Sequence, residues 1–420
     1  MRKSERLLSR SRVIILLALA IPTLFAVGWL YTNISRQPQT VFEQPIQRAI
    51  QAQPTPSPRP YNLFNGKVAA LGWIVGRDCQ RGMQAYVKTA ATNPDAALVG
   101  TGWIDPTTGK LINGAHNNCL PGSLSMDNVV QLIHSKGGMA YLTITMETDG
   151  SATSWTAQQQ ADYIAMATTD QGYINNIIHE VQRVNYDGVI MDLEGADPQY
   201  PNIQRLYATY NQRLWDALKP LHKYYGISLV HKISDHDAYY AINGFANWSL
   251  LAQSADFIII QAIDQSYETP GPTVSIPYLK QLLAYALQTM PQMLPRVVWE
   301  LPFYGALWHV ANGQWIFDGV LYQDAQQLIA RVPADEINRS MTNLDDPTAA
   351  HIVYTDASGV EHALWFQTAK NLYGIISDFK KILQQTPQFG KSHLQIAVWY
   401  RASWEPVAVW TLIDPLLSAD

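Results

Sequence analysis

From about Lys67 onward, short apolar runs alternate with amphipathic helical stretches. Strands are expected over residues 68–75, 96–104, 139–146, 186–195, 227–232, 256–264, 296–303 and 394–399, with Gly137-Gly138 ending a helix before the third. Helical periodicity is expected over residues 174–184, 204–224, 277–289, 368–383 and 406–417. Eight strand-then-helix units in about 350 residues predict an α/β chain, a (β/α)8 TIM barrel. Residues 305–365 are expected to be a small α+β insertion after strand seven. It contains 314–318, a helical 324–331 and a hairpin over 352–365 that turns at Asp356 to Gly359. No internal repeat is present.

The stretch from Tyr186 to Gly195 is the most informative. With a side-chain period of two, Val189, Met191 and Leu193 share one face and Ile190, Asp192 and Glu194 the other. In a parallel barrel the apolar face packs on helices, and inward side chains near the carboxyl end reach the mouth. Asp192 and Glu194 would lie one pleat repeat apart, roughly 6 to 7 Å between Cα atoms. Two carboxylates so close and partly shielded cannot both ionise easily, and the raised pKa of one suits a general acid. The other reading of the segment alone is an edge strand running into an acidic, solvated loop.

Composition narrows the picture. The 420 residues, 47% hydrophobic and 15% charged, suffice for a large core, and a net charge of -5 lacks a nucleic-acid signature. Thirteen Trp and 22 Tyr exceed what a core needs, and stacking on sugar rings is one use for the surplus. Trp73 and Trp103 are candidates for groove or core.

Five basic residues against Glu5 precede an uncharged run from Val13 to Tyr31, read as an export segment close to one membrane crossing in length. An uncleaved transmembrane signal-anchor over residues 1–36 is expected, with cleavage near Ala18-Leu19-Ala20 and secretion as the alternative. A Pro/Gln-rich linker, residues 37–66, then leads to the barrel, 67–420. Outside the cell, Cys79 and Cys119 either pair or stay as two buried thiols. Ser234-Asp235-His236-Asp237 lacks a second His at ligand spacing and is expected to be a turn or cap; no metal or cofactor is expected.

Four places in order resemble glycoside hydrolase family 18, the chitinase-like barrels, and within it the bacterial cell-wall branch that includes spore-germination peptidoglycan hydrolases. The fourth strand matches three of the four acids of Asp-x-x-Asp-x-Asp-x-Glu with Asp187, Asp192 and Glu194. The stretch from Ala255 to Asp264 is similar to the sixth strand and its closing Met-x-Tyr-Asp. Leu301 to Gly305 with Trp308 resembles the Gly-x-Pro-Phe-Tyr-Gly segment, and Tyr354-Thr355-Asp356 through Trp399 the closing one.

The resemblance implies that Glu194 protonates the glycosidic oxygen. Asp192 would hold the substrate's 2-acetamido group, whose carbonyl oxygen attacks the anomeric carbon. Trp399 would be the floor under the sugar, and Asp187, Asp264 and Tyr304 would bind substrate.

Ile190 and Ile263 depart from the pattern: they stand where the family has its second acid and the Tyr that grips the acetamido oxygen. Gln261 replaces a Met and Glu300 a Gly, both at inward parity, as expected partners for Asp192 or substrate. Three functions stay open: a hydrolase of a polymer containing N-acetylglucosamine, peptidoglycan ahead of chitin; a non-catalytic glycan-binding barrel; and a glycosidase with a carboxylate nucleophile such as Glu300. The expected partners are that glycan and the membrane through the N-terminal helix, with the chain a monomer.

Overall fold

The computed structural model describes residues 70–74, 79–89, 97–105, 110–113, 126–146, 155–331, 350–399 and 407–417. The N-terminal apolar run, the linker and the Cys79–Cys119 pairing lie outside them. Among the described residues no helix is long and apolar enough to cross a membrane.

Among these residues eight parallel strands close on themselves. They are β1 (Ala70–Trp73), β2 (Ala97–Ile104), β4 (Ala140–Thr145), β5 (Gly188–Met191), β6 (Tyr224–Val230), β7 (Phe257–Gln261), β8 (Val297–Pro302) and β13 (Gln395–Trp399). They pair in that order, and β13 returns to β1. A short β3 (Leu111–Asn113) lies antiparallel on β2. The sheet is therefore a barrel, and the alternation of apolar runs and helical periods is its physical origin.

The helices are α1 (Cys79–Thr89), α2 (Met126–Ser135), α3 (Ala157–Ala167), α4 (Gln171–Val184), α5 (Ile203–Leu218), α6 (Tyr240–Asn243), α7 (Trp248–Leu251), α8 (Ile276–Thr289), α9 (Tyr322–Arg331), α10 (Ala369–Gln384) and α11 (Val407–Leu417). Side chains cap several of the barrel helices: Thr156 and Thr368 form capping boxes on α3 and α10, and Asp170 caps α4. The helix expected over 204–224 stops at Leu218 because Pro220 enters a 3-10 turn and His222 adopts φ 57°. That earlier stop lets β6 begin at Tyr224 rather than Ile227.

Two apolar layers result from the period-two strands. Val189, Met191 and Leu193 join the large layer between strands and helices. Ile190 instead lies in the barrel interior with Leu71, Trp73, Tyr141, Phe257, Ile259, Val298 and Ala397. At Gly188 a Cβ would overlap the Tyr224 carbonyl oxygen and come within 2.9 Å of the Tyr141 ring. At Gly226 it would overlap the Phe257 ring. Tyr141 and Phe257 fill the room these glycines leave, packing edge-on with centroids 5.8 Å apart. The lower barrel is thus plugged, which leaves the carboxyl end of the strands as the place for a candidate site.

Between β8 and α10, a four-stranded antiparallel sheet runs in the order β10-β9-β12-β11. Its strands are β9 (Tyr304–Ala311), β10 (Gln314–Leu321), β11 (Ala350–Thr355) and β12 (Glu361–Phe366). The β9–β10 hairpin is longer than the expected element at 314–318. Asn312 and Gly313 both have positive φ, 52° and 75°, at its turn. This Asn-Gly pair between apolar runs is a strong local hairpin signal.

Candidate active site

Asp192 and Glu194 leave β5 at the carboxyl-end mouth and keep its alternation. The Asp192 N–H donates to the Ile144 carbonyl at 2.9 Å, extending the ladder. Gln160 Nε2 donates to the Glu194 carbonyl at 2.8 Å. Gly195, at φ 79°, then turns the chain away, its N–H donating to Ile242 O at 3.0 Å. Both carboxylates are therefore carried on a backbone fixed before and after them.

Gln261 joins the two acids. Its Nε2 is 2.8 Å from Glu194 Oε1, 3.1 Å from Asp192 Oδ1 and 3.1 Å from Ser228 Oγ. Both acids sit deep in the ring of strands while keeping a partly accessible face. Burial raises the Asp192 pKa first, the Glu194 charge raises it further, and hydrogen bonds from Ser228 and Gln261 oppose the rise. Glu194 is also raised, chiefly by burial, with the Gln261 bond opposing and the Asp264 charge adding. One carboxylic acid poised to donate and one ionised partner is the state these forces favour.

Around this pair stand most of the residues singled out in the sequence. Glu300 lies opposite Gln261 in the β7–β8 register and is 1% exposed. Asp264 occupies left-handed backbone, φ 50°, and its carboxylate accepts from the Tyr304 hydroxyl. Its carbonyl oxygen accepts from Tyr239 at 3.1 Å. Trp399 packs edge-on against Trp73, centroids 5.8 Å apart. Ser228 and Tyr239 were not singled out, although Ser228 is a polar residue at inward parity in an apolar strand, a signal that could have found it. Trp73 belongs to the interior cluster. The Trp103 side chain lies outside the described residues.

Asp187 is a correction. It precedes β5, five residues before Asp192 and so about 16 Å along the strand, at the opposite end of the barrel. Asp187 Oδ2 accepts from the Ala140 N–H at 2.7 Å and pairs with His134 Nε2 at 2.9 Å. It braces the start of β4 and takes no place in the cleft. Asp187→Ala is expected to lower stability by about 1–3 kcal/mol through the abandoned N–H, as read by denaturant melts, with ligand affinity at the mouth unaltered.

The acidic loop behaves as a turn. Asp237 accepts from the backbone N–H of Ile233 and Tyr239 at 3.1 and 3.0 Å, and from Asn243 Nδ2 at 3.1 Å. Asp235 accepts from Tyr285 at 2.6 Å. Among the described residues no cluster of three or more His, Cys, Asp or Glu is arranged to hold a metal ion.

A closed parallel barrel with an acid pair after strand four and an antiparallel insertion after strand seven has the fold of chitinase-type glycosidases. Three solved structures make the likeness concrete. A chitinase from Chromobacterium violaceum matches with TM-score 0.63 at 16% identity, covering 84% of this chain and 100% of that one. The Bacillus cereus spore cortex-lytic enzyme SleL matches with TM-score 0.64 at 18% identity, over 84% of this chain and 75% of that one. The C-terminal domain of a putative chitinase from Desulfitobacterium hafniense gives 0.63 at 19% identity, over 84% and 98%. At such identities the shared property is the fold. No family model and no curated protein matches the chain.

Proposed function

We propose that the chain is a family-18-type glycoside hydrolase that cleaves β-1,4 bonds next to N-acetylglucosamine in a cell-wall polymer, with retention and substrate assistance. One observation carries this reading: Asp192 and Glu194 stand at the barrel mouth with a single amide, Gln261, donating to both. Glu194, its pKa raised by burial, delivers its proton to the glycosidic oxygen as the bond to the anomeric carbon breaks. The substrate's acetamido oxygen closes on that carbon, and ionised Asp192 stabilises the positive charge that develops on the acetamido nitrogen. Glu194, now a carboxylate, takes a proton from the water that reopens the intermediate. Tyr304, whose hydroxyl donates to Asp264, lies in the same cleft, where Ile263 carries no hydroxyl.

Peptidoglycan is placed ahead of chitin. Solved structures of similar fold include spore cortex-lytic enzymes from Bacillus cereus and Bacillus megaterium. A polymer outside the cell also suits a barrel held beyond the membrane by the basic, apolar N-terminus and its Pro-rich spacer. The rival reading, a glycan-binding barrel without turnover, draws on the apolar Ile263 and on Ile190, fully buried as filling.

The test is reducing-end release by the purified protein from peptidoglycan fragments and from chitin oligomers, alongside calorimetric binding. Release with preference for peptidoglycan is expected. Binding of both polymers without release from either would replace the hydrolase with the binding module.

A further inference from the structure

Four acids, Asp192, Glu194, Asp264 and Glu300, influence one another at the barrel mouth, and among the described residues no Lys or Arg acts on them. Four negative charges cannot share so small and so poorly solvated a space, and the cleft must keep protons. The question is where they reside.

Glu300 is the least solvated of the four. It is 1% exposed, and its Oε2 has no hydrogen-bond partner among the described residues. Its β7 neighbour in register, Gln261, directs its amide to Asp192, Glu194 and Ser228 instead. Its β13 neighbour in register is Ala397, which offers no polar side chain. From β1, the Trp73 indole N–H is aimed at Glu300 and favours its charged form without reaching full hydrogen-bond geometry, and from β9 comes the Tyr304 hydroxyl, committed to Asp264. Asp192 and Glu194, beyond the end of β5, and Asp264, beyond β7, face it with like charge. An ionised carboxylate here would be buried, under-bonded and repelled from three sides; a neutral acid is only under-bonded.

We infer that Glu300 is a positioning residue that remains a neutral carboxylic acid, holding a resident proton so that the charge the cleft can tolerate falls on the Asp192–Glu194 pair. The role assigned to Asp192 rests on the hydrolase reading; the protonation of Glu300 does not. Neutral Glu300 removes a competing charge beside Asp192 without adding a cation that would pair with it and draw it from substrate. Burial and the charges of Asp192 and Glu194 push the Glu300 pKa well up, in agreement.

Two measurements on the whole protein and its E300Q variant test this, neither needing turnover. Infrared spectra near pH 7 are expected to show carboxylic C=O absorption, one component of which E300Q loses and E194Q keeps. The second is the pH dependence of melting. Because the folded-state pKa of Glu300 lies above its unfolded value, its contribution is fully present below about pH 4.3 and is lost as pH rises toward the folded pKa. E300Q, which cannot ionise, escapes that loss. Its melting temperature should gain on the wild type between pH 5 and pH 8, the folding constants diverging by up to about tenfold per pH unit. An E300L variant, equally unable to ionise, should gain in the same direction even if its packing lowers both ends of the curve. An unchanged carbonyl band in E300Q, or a melting difference that is flat with pH in both variants, would overturn the inference. Hydrolysis failing while these results hold would instead remove the hydrolase reading alone.

Discussion

Glu194→Gln is expected to lower kcat/KM on the preferred oligosaccharide by about 10²–10⁴-fold, the range a positioned general acid supplies, while binding is retained. The amide keeps the size of the carboxylic acid, and its oxygen still accepts from Gln261, which lies 2.8 Å from Oε1 in the wild type. What it cannot do is transfer a proton. The same substitution should erase the alkaline limb of the pH profile. In the proposed mechanism Glu194 acts in its protonated form, and burial raises its pKa, so wild-type turnover is expected below that pKa and should fade as pH rises through it. Stability runs in the same direction, because the raised folded-state pKa means wild-type stability is lost over the same rise while that of E194Q is not. Steady-state kinetics and calorimetric titration on chitin and peptidoglycan fragments check the rate, pH and binding outcomes, and thermal melts against pH check the stability difference. Equal loss of binding and turnover would instead make Glu194 a structural prop.

Much of this site was legible in residues 186–195, since a period of two allows only two faces. Once Val189, Met191 and Leu193 are assigned to the helices, Ile190, Asp192 and Glu194 must point inward, and the structure has them so. Parity placed Gln261 and Glu300 inward in the same way. Asp187 was misread because motif spacing says nothing of height: an acid five residues upstream on a strand belongs to the other end of a barrel. Tyr239 was invisible for a different reason, as its contact with Asp264 is made by a loop that no periodicity governs. The β9–β10 hairpin was underestimated although Asn312-Gly313 marked its turn.

Gln261→Met should shift the whole pH profile toward higher pH rather than simply lowering it. Methionine has nearly the same length and volume, so the fold is expected to persist, but it donates no hydrogen bond. In the wild type the Gln261 amide favours the ionised form of both acids, opposing the rise that burial imposes. Without it, the Asp192 pKa should climb, and the acid limb should move up because the role proposed for Asp192, holding the developing positive charge, requires it ionised. The Glu194 pKa climbs as well, and the alkaline limb follows because Glu194 must be protonated to donate. A lost hydrogen bond to a charged group is worth about 1.5–3 kcal/mol, or about 1–2 pH units on each limb. At the wild-type optimum kcat/KM should therefore fall about 10-fold or more, with part of the loss recovered by raising the pH. Limbs that stay in place while activity falls would mean that Gln261 acts on substrate rather than on the two acids. A movement of only the acid limb would assign its amide to Asp192 alone.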